Sequence, residues 1–270
     1  MNVLMNVLSL FDGMSCGRIA LDRAGIEIND YFASEIDKYA SKVSYHNYPD
    51  IVHMGDVCSL SATNLPKIDL LIGGSPCQSF SLSGKGEGFD GKSKLFWEYA
   101  RLLKEVKPKY FLLENVKMKK EWEDVITKEL GVDPIEINSS LVSAQNRRRL
   151  YWTNIPNVTQ PDDKGILLED ILENKNFNRD PYVERFKSSR PIHYKTPKHG
   201  TLRANAGSRS RGVGICDDTG MWRKLTVNEC EELQTVPKDY TSVVSDSQRY
   251  KMLGNGWTVD VIAHIFKGLK

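Results

Sequence analysis

The chain has 270 residues, with 37 Lys and Arg against 35 Asp and Glu for a net charge of +2, 40% hydrophobic residues, 20 Gly, 11 Pro and 5 Cys. These proportions exclude collagen-like, disordered and disulfide-stapled classes. The length allows one full core with a smaller lobe, since single cores stop growing at roughly 250 to 300 residues. No run approaches the roughly 20 apolar residues of a membrane span. The N-terminal MNVLMNVLSLF has neither a basic leader nor a small-residue cleavage site, and its doubled MNVL reads as a choice of start between Met1 and Met5. The cysteines at 16, 58, 77, 216 and 230 form no C-x-x-C pair. The expectation is a cytoplasmic protein with reduced thiols, no metal centre and no membrane association.

From the N-terminus, short apolar runs bounded by turn residues alternate with helical periodicities, the pattern of β-α units on a mostly parallel, doubly wound sheet. They predict strands near 5–11, 31–35, 51–54, 68–73, 109–114, 135–141 and 148–154, and helices near 15–24, 37–45, 94–105 and 118–129. Beyond Asn154 this rhythm gives way to Pro-, Asn- and Arg-rich text up to about residue 224. Thr226 and Glu229 then make a capping-box signature for a helix through about Gln234. The spacing of Trp257, Val261, Ile262, Ile265 and Phe266 predicts a last helix over 257–267.

Charge is unevenly spread. The segment 185–224 holds ten Lys and Arg against two acids, a net of +8, which leaves −6 elsewhere in a chain whose total is +2. With five interspersed glycines it suits a surface that follows phosphates; a solvated surface is the equal alternative.

In doubly wound sheets ligands gather at the carboxyl ends of the strands, and each of the first five predicted strands closes on polar or reactive groups. In order these are Phe11-Asp12-Gly13-Met14-Ser15-Cys16-Gly17, Glu35, Gly55-Asp56, Gly73-Gly74-Ser75-Pro76-Cys77-Gln78 and Glu114-Asn115. Glu35 follows Gly17 at the distance where an acid accepts from a ribose, which points to a nucleoside-bearing cofactor. Asp56 suits either an adenine amino group or the N-cap of a short helix. A nucleophilic Cys77 needs a positive charge nearby. The run Gln145-Asn146-Arg147-Arg148-Arg149 offers one, with Arg147 and Arg149 on one face of a strand and Arg148 on the other.

Taken in order, Phe11-Asp12-Gly13 to Gly17, Glu35, Asp56, Gly74-Ser75-Pro76-Cys77-Gln78, Glu114-Asn115-Val116, Gln145-x-Arg147-x-Arg149 and Gly254-Asn255 resemble the DNA (cytosine-5)-methyltransferases. The first turn looks more like the eukaryotic de novo branch than the bacterial Phe-Ala-Gly-x-Gly-Gly. The resemblance spans about 5–268 and leaves 155–222 unmatched, a short stretch that suggests a brief recognition sequence.

The resemblance implies a Rossmann-like catalytic and cofactor-binding domain of 1–154 and 245–270, and a target-recognition lobe of 155–244. It implies S-adenosylmethionine as cofactor, duplex DNA as partner, a monomer without obligate protein partners, and a bacterial or phage restriction-modification setting. Cys77, Glu114, Arg149, Arg147 and Asn115 would carry the chemistry on a flipped-out base. Phe11, Asp12, Gly13, Gly17, Glu35, Ile36, Asp56, Pro76, Leu95 and Asn255 would line the cofactor. Gln78, Ser81, Lys85, Arg203, Arg209, Arg211 and Arg223 would meet DNA, with Ser81 to Gly91 either a mobile lid or a plain surface loop. The rival readings are cytosine-5 methylation of a transfer RNA, a catalytically silent nucleic-acid-binding homologue, and an oxidoreductase, the last disfavoured by the missing dinucleotide fingerprint.

Overall fold

Met5–Leu10 forms β1, in which Val7, Leu8 and Leu10 are fully buried because a central parallel strand is covered on both faces. It pairs in parallel with β2 (Ile28–Ser34) on one side and β4 (Leu70–Gly73) on the other. The short β3 (Val52–His53) extends β2 in parallel, and β5 (Tyr110–Val116) extends β4. β7 (Arg148–Thr153) runs antiparallel to β5, and β6 (Ile135–Asn138) lies beyond it, giving the order β3-β2-β1-β4-β5-β7-β6. The computed structural model describes residues 4–76, 95–177, 191–204 and 214–270.

Among the described residues, four helices alternate with these strands: α1 (Cys16–Ala24), α2 (Lys38–Asn47), α3 (Phe96–Val106) and α4 (Lys120–Leu130). α2 starts at Asp37, whose carboxylate accepts from the backbone N–H groups of Tyr39 and Ala40. α3 brings Phe96, Tyr99 and Leu102, all fully buried, into a cluster with Leu8, Leu10, Leu71, Leu113 and Trp152. The fold is a doubly wound, Rossmann-like sheet, and its strand order reverses between β1 and β4, where such sheets open a crevice for ligands. Among the described residues, no helix is long and apolar enough to cross a membrane.

This sheet belongs to a unit made of Met1–Ile137, Arg148–Gln160 and Ala263–Lys270; a second unit consists of Asn138–Arg147 and Pro161–Ile262. The segments 138–147 and 245–262, which the sequence groups with the larger domain, fall in this second unit. It contains a small sheet of order β10-β9-β8, built from β8 (Ile192–His193), β9 (Gly214–Cys216) and β10 (Trp222–Lys224). The capping box forms as its spacing predicts: Thr226 Oγ1 accepts from Glu229 N at 3.1 Å and Glu229 Oε2 accepts from Thr226 N at 2.8 Å, opening α5 (Val227–Leu233). α6 (Asp246–Asn255) was not anticipated, and α7 (Val259–Phe266) matches the last predicted helix. The strand predicted over 135–141 stops at Asn138, whose side chain accepts from Ser140 N and caps a single 3-10 turn.

Candidate active site

The turn after β1 has three residues in the left-handed region, Phe11 at φ 57°, Gly13 at 62° and Ser15 at 66°. A non-glycine residue held there costs about 1 to 3 kcal/mol and persists only where its surroundings over-determine it. Here they do. Tyr31 Oη donates to Asp12 Oδ1 at 2.7 Å, Ser15 Oγ donates to Asp12 Oδ2 at 2.5 Å, and Asp12 N donates to Ser34 O at 3.1 Å. Burial pushes the Asp12 carboxyl above its ordinary range in spite of hydrogen bonds from Ser15, Ser9 and Tyr31, and the charge of Glu35 acts in the same direction. Asp12 therefore shapes the turn from below, and Gly17 is buried within the first turn of α1.

Glu35, at the end of β2, binds this turn from the side. Its Oε2 accepts from Gly13 N at 2.8 Å, while Oε1 accepts from Ile36 N at 2.8 Å and Asp37 N at 2.7 Å. Beside it Ile36 is 76% exposed, an uncovered apolar side chain next to a fixed carboxylate. Asp56 is exposed after β3, and its Oδ1 accepts from Cys58 N at 2.9 Å, so the N-cap reading is realised on that oxygen. Phe11 and Leu95 are partly buried against the core and Pro76 is half-buried after β4.

At the end of β5, Glu114 and Arg149 lie on one face of the sheet. The antiparallel register sets Glu114 opposite Tyr151 and Val116 opposite Arg149, so the two are diagonal neighbours. Arg149 Nε donates to Glu114 Oε1 at 2.8 Å with both side chains largely shielded, and Arg149 Nη1 donates to the Arg148 carbonyl at 2.8 Å. Arg148 points away, 66% exposed and near Glu136. The buried Asn115 donates through Nδ2 to Ser75 Oγ at 3.1 Å and accepts from Val116 N at 2.8 Å. It thereby ties the end of β5 to the buried Ser75, a contact that the motif Gly74-Ser75-Pro76 does not reveal by itself. Cys77, Gln78, Ser81 and Lys85 lie outside the described residues.

In the second unit two expectations change. Arg147 does not share a strand face with Arg149: it precedes β7, its N–H is held by Asn138 Oδ1 at 3.0 Å, and its buried guanidinium donates to the carbonyls of Leu202 at 3.0 Å and Gly256 at 2.9 Å. Arg223 is not a surface cation. Its guanidinium donates to the fully buried Glu229 at 2.6 and 2.8 Å and to the Asn174 carbonyl at 2.6 Å, because a buried carboxylate needs a charged partner. The basic segment is also less available than its count suggests. Lys195 pairs with Asp218 at 2.8 Å, Lys198 donates to the carbonyls of Ser143 and Ile166, and the half-buried Lys224 lies 4.0 Å from the Tyr250 ring centroid. Arg203 is exposed, Asn255 ends α6, and Arg209 and Arg211 lie outside the described residues.

The family model for C-5 cytosine-specific DNA methylase matches residues 5–176 and 150–270. The chain is 30% identical to the type II methyltransferase M1.ScrFI of Lactococcus lactis subsp. cremoris, over 95% of this chain and 75% of that protein. It is 29% identical to the type II methyltransferase M.HhaI of Haemophilus parahaemolyticus, over 97% and 93%. The solved structure of the Entamoeba histolytica methyltransferase EhMeth superposes with a TM-score of 0.82 at 20% identity, covering 99% of each chain.

Proposed function

The chain belongs to the C-5 cytosine-specific DNA methylase family, and on that premise we propose that it methylates carbon 5 of cytosine in a short sequence of duplex DNA, through a covalent adduct with Cys77 and a base turned out of the helix. The observation that carries this reading is the shielded pair of Glu114 and Arg149 at 2.8 Å, beside an Asn115 anchored to Ser75, two residues ahead of Cys77. A carboxyl and a guanidinium side by side match ring nitrogen 3 and the carbonyl oxygen of cytosine.

The residues around the first turn fit S-adenosylmethionine. Glu35 is fixed where it can accept from a ribose hydroxyl, the exposed Ile36 offers an apolar face for an adenine, and Gly13 leaves open space where a Cβ would stand. Phe11, Asp56, Pro76 and Leu95 complete the proposed lining. When bound, S-adenosylmethionine supplies a methyl group on a cationic sulfur that departs as a neutral thioether.

Carbon 5 of cytosine is a weak nucleophile, so the ring must first be activated. The Cys77 thiolate adds to carbon 6, forming a C–S bond and moving an electron pair towards carbon 5. Glu114 holds a proton at ring nitrogen 3, and Arg149, whose Nε and Nη1 are already engaged, offers Nη2 to the carbonyl oxygen. Carbon 5 takes the methyl group, then loses its proton to a base as the C–S bond breaks and the thiolate leaves. A base inside a duplex is closed above and below its ring, so this chemistry needs it flipped out.

The test is methylation-sensitive sequencing of DNA from cells expressing the protein or its Cys77→Ser variant. The expected result is 5-methylcytosine at one short sequence with the first and none with the second. Equal methylation by both would remove Cys77 from the mechanism; its absence from DNA in both would remove DNA as substrate.

A further inference from the structure

The Gln-x-Arg-x-Arg motif serves two places. Arg149 meets Glu114, whereas the buried Gln145 and Arg147 make hydrogen bonds inside the second unit. Gln145 Oε1 accepts from Leu202 N at 2.8 Å, and its Nε2 donates to the Leu233 carbonyl at 3.0 Å and to Gln234 Oε1 at 3.1 Å. Arg147 Nη1 donates to Leu202 O at 3.0 Å, so both backbone groups of Leu202 are held by the motif.

The neighbouring backbone runs alongside. His199 N donates to Ala144 O at 2.7 Å, Asn146 N to His199 O at 2.8 Å, and Thr201 Oγ1 to Asn146 O at 2.7 Å. On its other side the segment presses on α6: a Cβ at Gly254 would stand 2.1 Å from Arg203 C and 2.2 Å from Arg203 O. Arg147 also reaches the Gly254 and Gly256 carbonyls, at 3.4 and 2.9 Å from Nη2, which braces that end of the helix. The residue delivered by this arrangement is Arg203, whose side chain is exposed.

We propose that Gln145 and Arg147 are positioning residues for nucleic-acid binding, which fix the backbone at Leu202 and so set Arg203 against a DNA phosphate. This rests on the proposed function. A buried guanidinium engaged with main-chain carbonyls has no route to a phosphate itself. Its effect on DNA passes through the segment it clamps.

Arg147→Lys keeps the charge but loses the fork that reaches several carbonyls, and Gly254→Ala displaces Arg203 without touching any charge. Methylation kinetics are measured at varied DNA and cofactor, with DNA affinity against salt. Each variant is expected to raise KM for DNA roughly tenfold, as for one lost charge-assisted contact, while kcat at saturating DNA and cofactor affinity stay near wild type. The log-log salt slope should fall by about 0.9, one phosphate, which loss of folded protein alone cannot produce. Arg203→Ala should reproduce both effects and add nothing to Arg147→Lys, the non-additivity of residues acting through one contact. A collapse of kcat with KM for DNA and salt slope unchanged would place Arg147 at the reacting atoms and overturn the inference, as would full additivity with Arg203→Ala. Wild-type protein that methylates no DNA would defeat the proposed function itself; wild-type activity with unaffected variants would defeat this inference alone.

Discussion

Replacing Glu35 with Gln separates the charge and acceptor capacity of this side chain from its size. A carboxylate offers roughly four acceptor positions, and three are taken by the N–H groups of Gly13, Ile36 and Asp37 at 2.7 to 2.8 Å. Glutamine has one oxygen and one NH2. With its oxygen in the place of Oε1 it retains Ile36 and Asp37 but turns an N–H donor towards the Gly13 N–H. The orphaned donor costs about 1 to 3 kcal/mol, and it sits in the turn with left-handed residues that the proposed function assigns to the cofactor. Cofactor affinity should fall roughly 5- to 150-fold, since 1.4 kcal/mol is about tenfold. Calorimetric titration with S-adenosylmethionine measures this directly, with thermal unfolding alongside to account for folded protein. Affinity within about twofold of wild type, half a kcal/mol or less, would refute the argument that Glu35 holds the cofactor turn.

Two further outcomes follow from buried groups. Arg223→Ala leaves the Glu229 carboxylate buried without its guanidinium, so it should destabilise the protein by about 3 to 5 kcal/mol while leaving the salt dependence of DNA binding unchanged; urea unfolding and a salt titration check both, and a flattened slope at wild-type stability would return Arg223 to the DNA surface. Burial lowers the His199 pKa below its ordinary 6.5, against a hydrogen bond to the Gly200 carbonyl. The unfolded chain then binds a proton before the native one does, so the stability this neutral imidazole supports is complete above pH 6.5 and is lost as pH falls from there towards the lowered native value. The urea midpoint of wild type should drop across that window relative to His199→Asn, and parallel curves would show that His199 does not titrate differently on folding.

The strands and helices of the sheet were legible because their signal is local. Apolar runs of strand length between turn residues placed β1, β4 and β5 close to their observed limits, and the Thr226 and Glu229 pair marked the start of α5 through the same two hydrogen bonds it makes. The polar α6 is not legible in the sequence because its buried side chains, among them Tyr250, Met252 and Leu253, form no clear apolar stripe. The placement of Arg147 and Arg223 is not legible in the sequence for a different reason. Their partners are backbone carbonyls more than fifty residues away in one case and the capping glutamate of a helix in the other, and sequence spacing carries neither contact. The same long-range hydrogen bonds draw 138–147 into the second unit.

Under the proposed function Cys77 adds to carbon 6, and its release requires loss of the carbon-5 proton. A duplex pool carrying 5-fluorocytosine within randomised flanking sequence tests it, because fluorine cannot leave as a cation and the adduct formed after methyl transfer cannot resolve. With S-adenosylmethionine present, the expected product is a protein–DNA species that survives denaturing electrophoresis, is absent without the cofactor, and maps to Cys77 by mass spectrometry. A protein that binds S-adenosylmethionine and methylates ordinary duplex DNA, yet yields no covalent species from this pool, would contradict it.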